Sequence, residues 1–116
     1  MAVHHAGSGE VVDLQPLGAK LQDARTTAIV KSDTFEAVRL IVPTGHKIPA
    51  HRVEGEITLF CLEGSVRLGH SDTEIELAAG QWVYLDGGVA RSVEGINDAS
   101  LLLTIHFQAK QTQGSV

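Results

Sequence analysis

Apolar residues recur along the chain in short runs of strand length, separated by residues that favour turns. Most runs are rich in Val, Ile, Leu, Thr or aromatic residues, which favour extended backbone. The predicted strands are 11–15, 26–31, 35–42, 57–63, 65–69, 73–77, 81–85, 91–93 and 101–108. One helical candidate, residues 17–24, follows Pro16 and is long enough for only a short turn of helix.

About nine strands at intervals of about ten residues, with no helical periods between them, predict an antiparallel β-sandwich or barrel. A parallel α/β sheet would need crossover helices, and the pattern provides none. The predicted organisation is a flexible N-terminus over residues 1–10, a single domain over 11–109 and a flexible tail over 110–116.

Charge and composition exclude several classes of partner. The 9 Lys and Arg residues are scattered singly against 14 Asp and Glu, which gives a net charge of −5. Nucleic acid and membrane surfaces call for a basic stripe, so neither is an expected partner. The N-terminus lacks an apolar run of signal-peptide type, and the single cysteine, Cys61, has no internal partner for a disulfide. We therefore expect a cytoplasmic protein.

Two stretches share the spacing of known motifs. From Gly45 to Gly64 the chain keeps the spacing, both glycines and the first His, His51, of the motif G-x5-H-x-H-x3-E-x6-G. From Gly80 it keeps the register and the first two glycines, Gly80 and Gly88, of the motif G-x5-P-x-G-x2-H-x3-N. On these residues the chain resembles a small single-domain cupin of the RmlC-like type. The resemblance implies an all-β, mostly antiparallel double-stranded β-helix, or jelly-roll barrel, with an interior pocket. It also implies a homodimer.

The metal ligands of the cupins are mostly replaced in this chain. The family's four ligand positions fall on His51, Val53, Ile57 and Arg91. Val and Ile have no donor atoms, and the Arg guanidinium is a permanent cation that repels a metal ion. We therefore expect no tightly bound metal. The alternative, a divalent transition metal, would use a non-standard site made of His46, His51 and His106.

The pocket that the resemblance implies is aliphatic with few polar groups. Positions 57, 59 and 61 should face inward, as the ligand positions do in cupins. The predicted ligand-binding residues are therefore His51, Arg91, Val53, Ile57, Leu59 and Cys61. A His beside a fixed cation suits a small organic anion such as a carboxylate or phosphate.

Three functions are compatible with this pattern. The first is metal-free binding of a small molecule. The second is a cupin enzyme of oxygenase or isomerase type, using either the alternative metal site or His51 as an acid or base. The third is a packed structural barrel that acts through its dimer surface, with Phe60 among the contacts.

Several side chains have two interpretations. Arg91 either enters the pocket or lies at its rim, paired with Asp86, Glu94 or Glu56. Arg39 either enters the barrel as a second cation or lies at a strand edge. The simplest interpretation of the remaining histidines puts His46 and His70 in exposed turns and His106 in the core with a hydrogen-bond partner.

Overall fold

The computed structural model describes residues 4–52, 55–70, 72–88 and 90–107, apart from the side chains of residues 50–52 and 90. This part of the chain forms one short 3₁₀ helix and seven strands. In chain order they are the helix Gly18–Asp23 and the strands β1 Thr27–Lys31, β2 Phe35–Val42, β3 Lys47–Arg52, β4 Ile57–His70, β5 Thr73–Ala78, β6 Trp82–Leu85 and β7 Ala90–His106.

The two long strands, β4 and β7, pair with each other and take part in both layers of the barrel. The first half of β4 pairs with β6 and with the last part of β7, whose other neighbour is β2. The second half of β4 pairs with β5 and with the first part of β7, whose other neighbour is β3. All pairings are antiparallel. The order is therefore β1-β2-β7-β4-β6 in one layer and β3-β7-β4-β5 in the other.

The strands change layer where their register is irregular. The pairing of β4 with β7 shifts at Cys61, Glu63 and Ser65. Gly64 lies within this bend with φ at +76°, and a Cβ there would come 2.0 Å from the carbonyl oxygen of Asp98. Both the conformation and the close approach of β7 therefore require glycine at this position.

The core lies between the two layers. Buried side chains come from both halves of β4, with Ile57, Leu59 and Cys61 in the first half and Val66 and Leu68 in the second. The inward positions are odd before Gly64 and even after it, so the bend reverses the alternation. One strand can thus supply apolar side chains to both walls of the barrel.

Strand positions follow the sequence prediction closely in most places. The strand predicted over 35–42 has its observed bounds, and the predicted strands 57–63 and 65–69 both lie within β4. Strand β7 likewise contains the predicted strand 91–93 and positions 101–106 of the one predicted over 101–108; residue 107 is not in a strand and residue 108 lies outside the described residues. The strand predicted over 11–15 is wrong, because this segment has no regular structure. Strand β3 was not predicted, since its Lys47, Pro49 and His51 interrupt the apolar pattern.

The N-terminal segment is attached to the barrel. The N–H group of Ala6 donates to the carbonyl oxygen of Ile29 on β1 at 2.7 Å, and Leu21 of the 3₁₀ helix is buried. The flexibility predicted for residues 1–10 stays a prediction, and the tail 110–116 lies outside the described residues.

The outer face of the β6 layer exposes aromatic surface. Trp82 is 59% exposed and lies opposite the half-buried Phe60 of β4. The homodimer with Phe60 among its contacts stays a prediction. In the described residues no helix is both long and apolar enough to cross a membrane.

We predict that Gly64→Ala destabilises the fold more than Gly80→Ala does. Both glycines have positive φ, but a Cβ at Gly80 would meet nothing within 4 Å. Gly80→Ala should therefore lower the free energy of unfolding by about 1–2 kcal/mol through backbone strain alone. Gly64→Ala adds a clash with the backbone of Asp98. Urea unfolding should therefore show a clearly larger decrease in the free energy of unfolding for Gly64→Ala than for Gly80→Ala. Equal losses would contradict the close approach at the bend.

Candidate functional site

A cavity of about 90 Å³ lies between the two layers. Its walls are almost wholly aliphatic, and the side chains come from five of the strands. The lining residues are Leu40, Ile48, Ile57, Leu59, Leu68, Leu85, Arg91, Ser92, Val93, Leu103 and Ile105.

Among the described lining residues, Arg91 is the charged one. It lies near the start of β7 and is only 6% exposed. All three guanidinium nitrogens are buried, and none has a hydrogen-bond partner within the described part of the chain. Burial lowers the pKa of Arg91, and the charge of Asp86 opposes this shift. The cavity therefore contains a cation whose hydrogen-bonding groups are unsatisfied.

The carboxylates proposed to pair with Arg91 at a rim are engaged elsewhere. Glu94 lies 3.5 Å from a guanidinium nitrogen of Arg67. The Tyr84 hydroxyl lies 2.5 Å from a carboxylate oxygen of Glu56 and 3.0 Å from one of Asp86, and its single proton is shared between these two acceptors. The contacts raise the pKa of Tyr84. The structure therefore favours the pocket interpretation of Arg91.

The other predicted ligand-binding residues differ in their position relative to the cavity. Ile57 and Leu59 line the cavity with Arg91, as the sequence interpretation places them. Cys61 is buried in the core beside the bend and does not belong to the lining; burial raises the pKa of its thiol. The backbone of His51 lies directly opposite Arg91 in the pairing of β3 with β7. Val53 and the side chain of His51 lie outside the described residues.

The remaining histidines are separated in the fold. His46 is exposed in the turn before β3. His106 is exposed at the end of β7, where its ring stacks on Phe35 with centroids 6.2 Å apart, so its interpretation as a core residue is wrong. His70 is half-buried with its Nδ1 atom fully buried, which the exposed-turn interpretation did not anticipate.

The described residues around the cavity do not fit a divalent metal ion. The position that supplies a carboxylate ligand in cupins holds the apolar side chain of Ile57, and the position of the last His ligand holds the cation of Arg91. Within the described residues no three His, Cys, Asp or Glu side chains are grouped so as to hold a metal. The neighbourhood of Arg91 suits an anion rather than a cation.

Most of the lining was not identified from the sequence. Leu103 and Ile105 lie in a strand that is apolar at nearly every position, so alternation could not select the inward residues. Leu68 follows the bend, where the alternation reverses. Ile48 lies in the strand that was not predicted.

Arg39 belongs to a separate polar cluster outside the cavity. Its guanidinium lies 3.5 Å from Glu63 and donates to the carbonyl oxygen of Gln15 at 2.7 Å. Glu63 also accepts hydrogen bonds from the Ser100 hydroxyl at 2.6 Å and from the backbone N–H of Leu17 at 2.9 Å. The cluster therefore joins the segment before the 3₁₀ helix to β2, β4 and β7. Arg39 is not a second cation of the pocket.

Glu63 is held in its ionised form by these contacts. Burial opposes ionisation, but the hydrogen bonds from Leu17, Ser100 and Gly18 and the charge of Arg39 outweigh it and lower the pKa of Glu63. The cluster thus depends on a carboxylate rather than a carboxylic acid.

Solved structures of other proteins share this architecture. A conserved protein of unknown function from Streptococcus pyogenes superposes with a TM-score of 0.76 at 16% identity, covering 95% of this chain and 100% of that one. A cupin superfamily protein from Desulfitobacterium hafniense superposes with a TM-score of 0.74 at 12% identity, covering 93% and 100%. The chain has the cupin fold.

An RmlC-like cupin family protein from Methanocaldococcus jannaschii, described as a double-stranded β-helix, extends this similarity. Its TM-score is 0.68 at 19% identity, covering 86% of this chain and 93% of that one. No protein-family model and no curated protein matches the sequence. The cupin fold is therefore established by shape, and the role of the pocket is argued from its own residues.

We predict that Glu63→Gln lowers the free energy of unfolding at pH 7 by about 1–3 kcal/mol, because its partners lose a charged acceptor. Since the pKa of Glu63 is lowered in the folded state, its contribution is complete above the ordinary value of 4.5 and is lost as the pH falls through the folded value. The deficit of the variant should therefore shrink as the pH falls from 4.5 towards the folded pKa of Glu63.

Urea unfolding at pH 7 and pH 3 measures this difference. Glu76→Gln is the matched control, because Glu76 is exposed on β5 and its replacement should change stability by less than about 0.5 kcal/mol at either pH. A deficit of Glu63→Gln that stays the same at both pH values would contradict the role of the ionised carboxylate.

Proposed function

We propose that the barrel binds a small organic anion in its cavity through Arg91, without a tightly bound metal. The observation that carries the proposal is a nearly fully buried guanidinium that lines an aliphatic cavity and has no partner in the described structure. Small-molecule sites commonly combine apolar walls with a few convergent polar groups.

The energetics support this interpretation. An unpaired buried charge destabilises the protein, because desolvation is not offset by hydrogen bonds or an opposite charge. An anion in the cavity would satisfy the guanidinium nitrogens and neutralise the charge at once. Arginine suits this role because its planar fork matches the two oxygens of a carboxylate.

A purely structural barrel gives a weaker account of the same observations. An aliphatic residue at position 91 would fill the interior and avoid the desolvation of a cation. The cavity and the buried charge lie together, and both are explained if a ligand occupies the space.

Arg91→Met provides the test. The variant should lose binding in isothermal titration calorimetry against a panel of short carboxylates and inorganic phosphate. In the absence of anion it should be at least as stable as the wild type, with a gain of about 1 kcal/mol or more, because the buried unpaired charge is gone. For the wild type, an anion at 100 times its Kd should raise the free energy of unfolding by about 2.7 kcal/mol.

Arg25→Met is the matched control, since Arg25 is exposed in the connection before β1. Its binding and stability should stay those of the wild type. Anion binding that persists in Arg91→Met would overturn the proposal. A folded wild type that binds no member of the panel would do the same.

A further inference from the structure

His70 lies beside Arg91 on the same face of the sheet. In the pairing of β4 with β7, His70 is directly opposite Arg91, and Leu68 is directly opposite Val93. Residues directly opposite in an antiparallel pair project to one face, with Cβ atoms about 4.5–5.5 Å apart. Leu68, Arg91 and Val93 line the cavity, and the register places His70 at the next position of this inward row, adjoining the lining residues rather than among them.

A second unsatisfied polar atom therefore accompanies the guanidinium. The Nδ1 atom of His70 is buried and has no hydrogen-bond partner within the described part of the chain. The Thr73 hydroxyl donates to the backbone carbonyl of His70 and not to Nδ1. Two neighbouring residues thus present buried nitrogens that lack partners, and buried polar groups are ordinarily paired.

The cavity restricts the size and the charge of its ligand. A cavity of 150 Å³ can hold benzene, so by proportion a volume of about 90 Å³ accommodates about four non-hydrogen atoms. Within the described lining, Arg91 is the one cation, and the remaining walls are aliphatic except for Ser92. A second negative charge on the ligand would therefore be buried without a partner.

We infer that the ligand is a short aliphatic monocarboxylate whose carboxylate bonds to Arg91 and to the Nδ1–H of His70. This inference rests on the proposed function and specifies its ligand class and a second binding residue. The carboxylate oxygens satisfy the nitrogens of both side chains. The alkyl group contacts the aliphatic wall formed by residues such as Ile57, Leu59 and Leu103.

Calorimetry with propionate, malonate and inorganic phosphate tests the ligand class. Propionate should bind most tightly to the wild type, since malonate and phosphate bring additional charge or need additional donors. If phosphate or malonate binds more tightly than propionate, the ligand class is wrong while the proposed function stands. If no anion binds, the proposed function fails and this inference fails with it.

Substitution of His70 tests the second binding residue. His70→Leu should weaken propionate binding about tenfold or more, the amount expected for a hydrogen bond to a charged group. His70→Gln retains an amide donor and should recover part of the affinity. His5→Leu is the matched control, because His5 is exposed in the N-terminal segment, and its affinity should equal that of the wild type. Equal affinity of His70→Leu and wild type would overturn the role of His70.

A spectroscopic measurement separates binding from a structural effect. Propionate should shift the imidazole ¹⁵N resonance of His70 Nδ1 in the wild type and leave it unchanged in Arg91→Met. A His70 resonance that does not respond in the wild type, although propionate binds, would exclude the direct hydrogen bond.

Discussion

Strands β4 and β7 pair along most of their length and must bend together to serve both layers of the barrel. The register shifts around Gly64 make this bend, and the absence of a side chain there lets the backbone of Asp98 approach. Because the alternation of inward positions reverses at the bend, the same two strands supply both walls of the cavity. The location of Arg91 follows from this arrangement, since it lies on the inward row of β7 opposite His70.

The buried charged groups of the barrel lie in two different environments, one with hydrogen-bonded partners and one without, in the part of the chain that the structure describes. Near the bend, Glu63 and Arg39 offset each other, and each also contacts the segment before the 3₁₀ helix. In the cavity, the Arg91 guanidinium has no hydrogen-bond partner among the described residues, and the charge of Asp86 offsets only part of the effect of its burial. The cluster of Glu63 and Arg39 stabilises the fold, whereas Arg91 keeps an unfavourable buried charge beside the cavity. Stability lost at a functional position and regained elsewhere is a common feature of binding proteins.

Local sequence patterns were sufficient for much of the fold. Short apolar runs predicted an antiparallel sandwich or barrel, the resemblance to the cupin motifs implied a cupin barrel, and the run over 35–42 gave the bounds of β2. Strand β3 was missed because Lys47 and Pro49 resemble loop residues, and its structure depends on pairing with β7. For the site, motif spacing selected Arg91, Ile57 and Leu59. It could not select His70, because the pairing of His70 with Arg91 depends on the register after the bend, which only the folded chain defines.

The hydrogen bond between Ala6 and Ile29 lies at the free edge of the sheet, where a strand of another chain could pair. Strand β1 is the edge of its layer, and its register with β2 is irregular between Ala28 and Val30, on either side of Ile29. An unpaired strand edge of this apolar composition is a template for intermolecular sheet growth and aggregation. The N-terminal segment occupies one of its free carbonyls, and the bulge disrupts the flat edge that an added strand needs. The segment before the barrel therefore covers part of a strand edge that would otherwise be open to a further strand.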